Sequence, residues 1–447
     1  MLVYNSLILP LERTCKTFAN TSGKNHFADI LRWAQHHFAT VCYLNSNNCR
    51  SDKYAAIPQV YALGEAYSCT DDGKNAFNIL KEFHDTHNDW IFGYLGYDLK
   101  NQIEDLSSRN HDGIMMPGMH FFVPEVVIFG GADSLTVCCR PDSKRFSEPD
   151  AAMHSLEQHP AAVLPVYQQV NMRPRVPGER YIRQVAAIRE HIQRGDIYEM
   201  NYCIEFFDDS ALVDPISLYA NLNRLSPTPF SCFFSWDGKA LMCASPERFI
   251  KKTGNKLLSQ PIKGTTARGE SEEEDSRRRQ ELLNNPKERS ENVMIVDLVR
   301  NDLSRTAKDG SVKVEELFGI YPFSHVHQMI STVVSELADS FHPVDAIRHA
   351  FPMGSMTGAP KVRAMQLIEQ YEDTKRGLYS GSVGYIAPNR DFDFNVVIRS
   401  ILYNCQNNYL SYMAGSAITA GSVPEREYEE CLLKAETMRK ALEPLPD

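Results

Sequence analysis

Nothing in this 447-residue sequence marks it for a membrane. It contains no run of 18 apolar residues, and the opening "MLVYNSLILPLERT" lacks both a basic start and a full hydrophobic stretch, so neither export nor anchoring is expected. There is no excess of positive charge: the net charge is −10, which argues against nucleic acid as a partner. Eleven cysteines are present, but none forms a C-x-x-C pair or metal-ligand spacing, and Cys138 and Cys139 are adjacent. The expectation is reduced thiols in a cytoplasmic protein, not a disulfide framework or a zinc site. No repeat or low-complexity segment occurs.

What remains is an ordinary globular composition, 43% hydrophobic and 23% charged, in a chain long enough for a large core. The one basic run, "SEEEDSRRRQE", sets Glu273, Glu274 and Asp275 four residues before Arg277, Arg278 and Arg279, the pattern of a solvated helix face. Residues 141–178, rich in Pro, Ser, His and charge, read as a connector. Before them, strand-like "MHFFVPEVVIFGG" mixes with helical "HFADILRWAQHHF". After them the pattern predicts a helix over "ERYIRQVAAIREHIQRGD" and strands near 202–208, 230–236 and 240–252. A helix-rich run to about 370 follows. Strands return in "GSVGYIA", "FNVVIRSILYN" and "YLSYMAGSAIT", and a last helix starts near 425. Helices and strands mix without regular alternation, which reads as α+β with antiparallel sheets.

Five stretches carry chemistry. In "NNPKERSENVMIVDLVRNDL" a helix begun by Asn285 and Pro286 puts Glu291 on the stripe of Met294, Ile295 and Leu298, with Glu288 at its edge. A carboxylate among apolar neighbours must be paired, protonated or bound to a cation. The terminal helix repeats the i,i+3 spacing in Glu427 and Glu430, beside Tyr428, Cys431, Leu432, Ala435 and Met438. Two E-x-x-E pairs suit a hard cation such as Mg²⁺, although the same spacing is also that of a solvated face. "GSMTGAPKVRAM" opens a helix with a glycine loop whose free N–H groups favour an anion; it is not a Walker loop, because Ala-Pro separates Gly358 from Lys361. Arg399 is a cation within apolar "VVIRSI", and Lys263 stands between Pro-Ile and Gly-Thr in "PIKGT", a poor setting for a solvated charge.

Taken in order, "SPERF" (245–249), "PIKGT" (261–265), "ENVMIVDLVRND" (291–302), "GSMTGAPKVRAM" (354–365), "RGLYSGSVGY" (376–385), "IRS" (398–400) and "EREYEE" (425–430) resemble the chorismate-utilising enzymes. That family contains anthranilate, aminodeoxychorismate, salicylate and isochorismate synthases. The likeness covers about residues 175–440, and "FGYLGYDL" (92–99) resembles the family's N-terminal part. It implies an anthranilate synthase component I-like fold, α+β, with two packed antiparallel sheets and surrounding helices. Residues 1–170 would be the N-terminal part and 171–447 the chorismate-binding catalytic domain.

A lysine in the P-I-x-G-T stretch resembles the aminodeoxychorismate branch, where anthranilate synthases carry alanine. "TPFSCFF" (228–234) resembles the same branch, and the absence of an LLES stretch makes tryptophan feedback unexpected. The resemblance implies a transaminase-class enzyme that replaces the C4 hydroxyl of chorismate with an amine for 4-aminobenzoate and folate synthesis. In the implied chemistry the Lys263 amine adds at C2 and expels the hydroxyl; ammonia then adds at C4 and expels the lysine. A free lysine, with a pKa of about 10.4, has only about one neutral amine in a few thousand at pH 7, so burial or a nearby cation is expected to depress Lys263.

Glu247 matches the acid that protonates the leaving hydroxyl, and Tyr379 and Arg399 match the pair that grips the enolpyruvyl carboxylate. Thr265 and Ala417 match substrate-contacting positions, Ala417 in place of a glycine whose N–H meets substrate. Glu291 and Glu430 match direct Mg²⁺ ligands, with Glu288 and Glu427 acting through water. Gln328 stands where pyruvate-eliminating relatives carry a histidine, and Glu199 where relatives carry glutamine or lysine near the incoming nucleophile. No cysteine lies in a G-x-C-x-G elbow, so a separate glutamine amidotransferase (component II) is expected to supply ammonia. No lyase segment is evident after residue 447, so release of 4-aminobenzoate is expected to need another enzyme. Anthranilate, isochorismate or salicylate synthesis is disfavoured by Lys263 and Gln328, and a non-catalytic binder by the intact carboxylate set.

Overall fold

The computed structural model describes residues 13–19, 27–49, 52–131, 133–160, 170–323 and 326–443. The first twelve residues, which open the stretch read for an export signal, and residues 161–169 of the connector lie outside them. No helix among the described residues is long and apolar enough to cross a membrane.

Alternation along the strands explains the layering. Phe230–Trp236 pairs antiparallel with Val41–Asn45 on one side and Lys239–Ser245 on the other. Tyr43, Phe233 and Met242 fall in one apolar cluster, while their neighbours Cys42, Phe234 and Leu241 fall in another, as a period of two demands. The first cluster is closed by helices, with Leu31 and Trp33 of Phe27–His37, Leu222 of Pro215–Leu225, Val185 of Gly178–Arg194 and Met438 of Pro424–Ala441. The second joins this sheet to the other one through Phe92, Phe121, Ile250, Val333 and Phe394, and continues under Pro286–Ser304 and Pro343–Ala350. The described strands form one twelve-stranded and one ten-stranded antiparallel sheet, the α+β arrangement expected. Each sheet takes strands from both sides of residue 170.

Three local readings need correction. The helix-rich run to 370 has its helices, Glu272–Asn284, Pro286–Ser304, Pro343–Ala350 and Lys361–Tyr371, but it also holds the strands Lys256–Gln260, Ile262–Ala267, Lys313–Pro322 and Val326–Glu336. Solvent-facing charges in "KVEELFGIYP" hide the alternation there. "FNVVIRSILYN" is two strands, Phe392–Asn395 in one sheet and Ser400–Asn404 in the other, and Arg399 sits on the crossing with φ +50° rather than inside a strand. Finally, Cys15 and Cys138 are joined in a disulfide, because the pairing of Thr14–Ala19 with Ser134–Cys139 sets them opposite each other. Residues 123 positions apart give no such signal in sequence.

One buried ion pair holds the site's floor. Arg376 and Glu372 have side chains only 1% exposed; Arg376 also donates to the carbonyls of Met356 at 2.6 Å and Asn201 at 3.1 Å, and Glu372 accepts from the Cys203 N–H at 2.9 Å. Replacing Arg376 with leucine leaves the Glu372 carboxylate buried and unpaired, and is expected to cost about 3–5 kcal/mol in urea unfolding.

Candidate active site

Lys263 lies on the strand Ile262–Ala267, with a side chain 10% exposed, and its Nζ donates to Glu199 Oε1 at 2.6 Å. Two glycines permit this approach. Gly264 has φ +94°, and a Cβ there would stand 3.1 Å from Glu288 Oε2, on the helix packed over the strand. At Gly358 a Cβ would stand 2.1 Å from the Glu199 carbonyl oxygen, so only glycine lets the 354–360 loop lie against the start of Glu199–Asp208. Burial works to lower the Lys263 pKa, but Glu199, with Glu291 and Glu247 beyond it, raises it above the ordinary lysine value. The expected depression is therefore corrected: Lys263 is held as an ammonium.

Glu247 sits in the break between Lys239–Ser245 and Arg248–Thr253, buried, and its carbonyl accepts from Val396 N–H at 3.0 Å. Burial pushes its carboxyl up to about 7, against the pull of the Ser355 hydroxyl and of Lys263. It lines a cavity with Ser259, Pro261, Gly354 and Ser355.

Backbone hydrogen bonds bring the remaining pair to the same place. Ser380 N–H donates to Val397 at 2.8 Å, Val397 N–H to Gly381 at 2.8 Å, and Ala244 N–H to Arg399 at 3.0 Å, which joins the Tyr379 turn to the Arg399 crossing and both to the strand leading to Glu247. Tyr379 is buried with its hydroxyl 3.7 Å from Cys203 Sγ. The Arg399 guanidinium has no ion-pair or side-chain hydrogen-bond partner among the described residues, and burial lowers its pKa. A half-buried cation without a carboxylate partner is suited to an anion.

The four helix glutamates divide differently from the wheel. On Pro424–Ala441 it is Glu427 that is buried, with Cys431, Ala435 and Met438, while Leu432 is exposed and Glu430 has a side chain 46% exposed, held by Lys434 at 2.8 Å. On Pro286–Ser304 the Asn285 side chain caps the helix as expected, accepting from Lys287 and Glu288 N–H, but the buried stripe is Asn292, Ile295, Val296 and Val299. Glu291 is 15% exposed, 3.8 Å from Lys287, and burial, with the repulsion of Glu199 and Glu288, lifts its carboxyl to about 7. Three such glutamates do not bring ligand atoms within 4.8 Å of one another; among the described residues only His84, Asp85 and His342 do. His342 Nδ1 accepts from Val344 N–H as a helix cap, so its proton faces Asp85 from Nε2. The oxygen-only donors at Glu291 and Glu430, and the destabilised charge of Glu291, fit a hard divalent cation.

Gln328 is buried, aligned across the strands with exposed Thr265, and its Oε1 has no hydrogen-bond partner among the described residues. The adjacent His327 instead bonds Asp275 at 2.9 Å. Ala417 is half-buried opposite Asn201. Sequence reasoning misses Ser355, Asn201 and the Arg376–Glu372 pair, whose partners come from distant strands; the lone signal for Arg376 is a charge inside the motif "RGLYSGSVGY".

Residues 39–440 match the family model described as "chorismate binding enzyme". The chain is 36% identical over 361 residues to aminodeoxychorismate synthase component 1 of Bacillus subtilis (strain 168), covering 78% of this chain and 76% of that one. It is 35% identical over 369 residues to anthranilate synthase component 1 of Thermus thermophilus, covering 79% and 77%. Among solved structures, anthranilate synthase component I from Streptococcus pneumoniae superposes with a TM-score of 0.73 at 24% identity, over 86% of this chain and 94% of that one. The menaquinone-specific isochorismate synthase from Escherichia coli gives 0.76 at 18%, over 96% and 95%. At such identities these two likenesses speak to the fold.

Proposed function

The chain belongs to the chorismate binding enzymes, and from that membership we propose that it aminates chorismate at C4 to give 4-amino-4-deoxychorismate, a transaminase-class reaction feeding 4-aminobenzoate and folate synthesis. The observation that carries the choice of branch is Lys263, an amine buried against Glu199 with Glu247 beside it, where a bland residue would do for binding alone. Residues 171–447 supply the catalytic groups, and residues 1–170 complete both sheets.

Arg399 and Tyr379 receive the enolpyruvyl carboxylate, the guanidinium giving a bidentate contact, and Thr265 and the Ala417 backbone border the substrate. Glu291 and Glu430 would hold Mg²⁺, with Glu288 and Glu427 behind them, and the ion would supply positive charge for the ring carboxylate. Lys263 adds at C2 once its proton has moved to Glu199. Glu247 gives its proton to the departing C4 oxygen, which leaves as water. Ammonia then bonds C4, and the C2–N bond breaks with its electron pair returning to Lys263. A glutamine amidotransferase partner supplies the ammonia. A cytoplasmic location belongs to this reading; the buried thiols of Cys42, Cys139, Cys203, Cys232, Cys243 and Cys431 are unbridged, whereas Cys15 and Cys138 are joined.

The test is covalent. Chorismate without ammonia is expected to leave a mass adduct on the peptide containing Lys263; its absence, with turnover intact, overturns the nucleophile. A second expectation concerns pH. Glu247 acts in its protonated form and its carboxyl is lifted to about 7, so kcat should fall about tenfold per unit above that value. The Glu247→Gln enzyme should lose about 10²–10⁴-fold in kcat and this limb of the profile.

A further inference from the structure

Arg248 directly follows Glu247 and is only 1% exposed, yet none of the steps above uses it. Its guanidinium is fully engaged. Nε and Nη2 donate to Asp393 at 2.9 and 3.2 Å, and Nη1 and Nη2 donate to Asp52 at 3.1 and 2.8 Å. Nη1 also donates to Gln260 Oε1, and Cζ stands 4.7 Å from the centre of the Phe230 ring. These partners belong to segments that frame the site. Gln260 ends the strand Lys256–Gln260 and leads through Pro261 and Ile262 to Lys263. Asp393 lies on Phe392–Asn395, and the next residue, Val396, bonds the Glu247 carbonyl at 3.0 Å. Asp52 comes from the segment between Val41–Asn45 and Gln59–Leu63.

The strand pairing shows what this clamp holds. Arg248 pairs with Gln260 but Lys251 with Leu258; on the other side Arg248 pairs with Asn395 but Ile250 with Phe394. Both neighbours therefore meet one extra residue, at Phe249, which makes a β-bulge. Phe249 and Ile250 accordingly fall in the same apolar cluster, where strict alternation would separate them. The extra residue turns Arg248 to the side of Lys251, whose Nζ also reaches Asp393 at 3.2 Å. Glu247 is turned the other way, into the cavity with Ser259, Pro261 and Ser355. Without the bulge this end of the strand would present its opposite face, and the acid would point away from the site.

We propose that Arg248 is a positioning residue: by clamping Asp52, Asp393 and Gln260 it holds this bulge and so fixes the Glu247 carboxyl relative to Lys263. The inference rests on the acid role given to Glu247 above. A bulge interrupts the ladder, so side chains must supply the order that backbone bonds do not. A planar guanidinium suits that task, because its fixed fork of donors meets two carboxylates and an amide at once, as an ammonium cannot. The groups that face the Glu247 carboxyl are the Ser355 hydroxyl, the Ile262 N–H and Lys263. Asp302 lines the same cavity but is paired with Lys361 at 2.7 Å. The charge of Arg248 is met by its own two carboxylates, so it acts on the acid through placement.

The test is ammonium-driven turnover of the full chain across mildly acidic to alkaline pH, with the product identified by mass and thermal unfolding measured alongside. Arg248→Lys is expected to lower kcat about tenfold to a hundredfold, as a misplacement of about 1 Å does, while the chorismate KM changes less than about twofold. The limb set near 7 by the buried Glu247 carboxyl should move to lower pH, because a loosened carboxyl gains water and ionises more readily. Gln260→Met leaves both ion pairs of Arg248 in place, so it should melt near the wild type and still show a lowered kcat and the same shift. Should Arg248→Lys fail to fold, Gln260→Met decides. Wild-type kcat and limb in the folded variants overturn the proposal, as does a loss confined to the chorismate KM. A limb that persists in Glu247→Gln removes the acid role and the proposal with it. The expected shift with a product aminated elsewhere on the ring keeps the role of Arg248 and overturns C4 amination.

Discussion

Lys263→Ala should lower ammonia-dependent product by at least about a thousandfold, as removal of a covalent nucleophile does. The acid function of Glu247 survives in that enzyme but has no adduct to assist. Lys263→Arg should do no better, because a guanidinium stays protonated and cannot attack C2. The ion pair with Glu199 sharpens this comparison. Arginine can keep the charge contact that lysine makes at 2.6 Å, so a purely electrostatic lysine predicts an active Arg enzyme. Steady-state assays of the two variants, with chorismate KM as the control for an intact site, separate the accounts. An Arg enzyme near wild-type rate excludes the nucleophile.

Glu291→Gln should be the next most damaging change, about a hundredfold or more in turnover at any Mg²⁺ concentration. A carboxylate lifted to about 7 by burial and by neighbouring acids is poised to exchange that strain for a cation, and the amide has no charge to offer. Glu430→Gln should follow it, although its half-exposed carboxylate is currently held by Lys434 and has water as an alternative. Losses at Glu288 and Glu427 should stay near about tenfold, since groups acting through water adapt. Magnesium titrations of each variant, read as both activity and protection against thermal unfolding, check the order. Wild-type activity at Glu291→Gln removes the metal role of that residue.

What the sequence shows plainly is what depends on neighbours along the chain. The cap at Asn285–Pro286 and the strand 230–236 are written in adjacent residues, and the structure has both. The order of family motifs names Glu247, Lys263, Tyr379 and Arg399 together; backbone bonds link the Tyr379 turn, the Arg399 crossing and the Glu247 segment, and Lys263 acts on the Glu247 carboxyl electrostatically. What depends on distant partners is not legible. "PIKGT" looks like a setting for a depressed amine, because nothing in it shows Glu199, 64 positions earlier, whose charge reverses the shift. The helical wheel puts Leu432 in the stripe and Glu427 and Glu430 alike beside it, yet the packing of the terminal helix on Tyr409–Ile418 and Gly178–Arg194 buries Glu427 and leaves Leu432 exposed. Arg399 reads as a strand residue because "FNVVIRSILYN" is apolar throughout; both flanking strands are buried, but in different sheets. That change of sheet is what sets Arg399 on a crossing, without an ion-pair partner among the described residues, a feature that local pattern cannot reveal.

The central claim is amination at C4 with the enolpyruvyl group retained, and product identity tests it most directly. Pure protein with chorismate, Mg²⁺ and ammonium should yield 4-amino-4-deoxychorismate by mass and no stoichiometric pyruvate. Anthranilate or salicylate accompanied by an equivalent of pyruvate would contradict it.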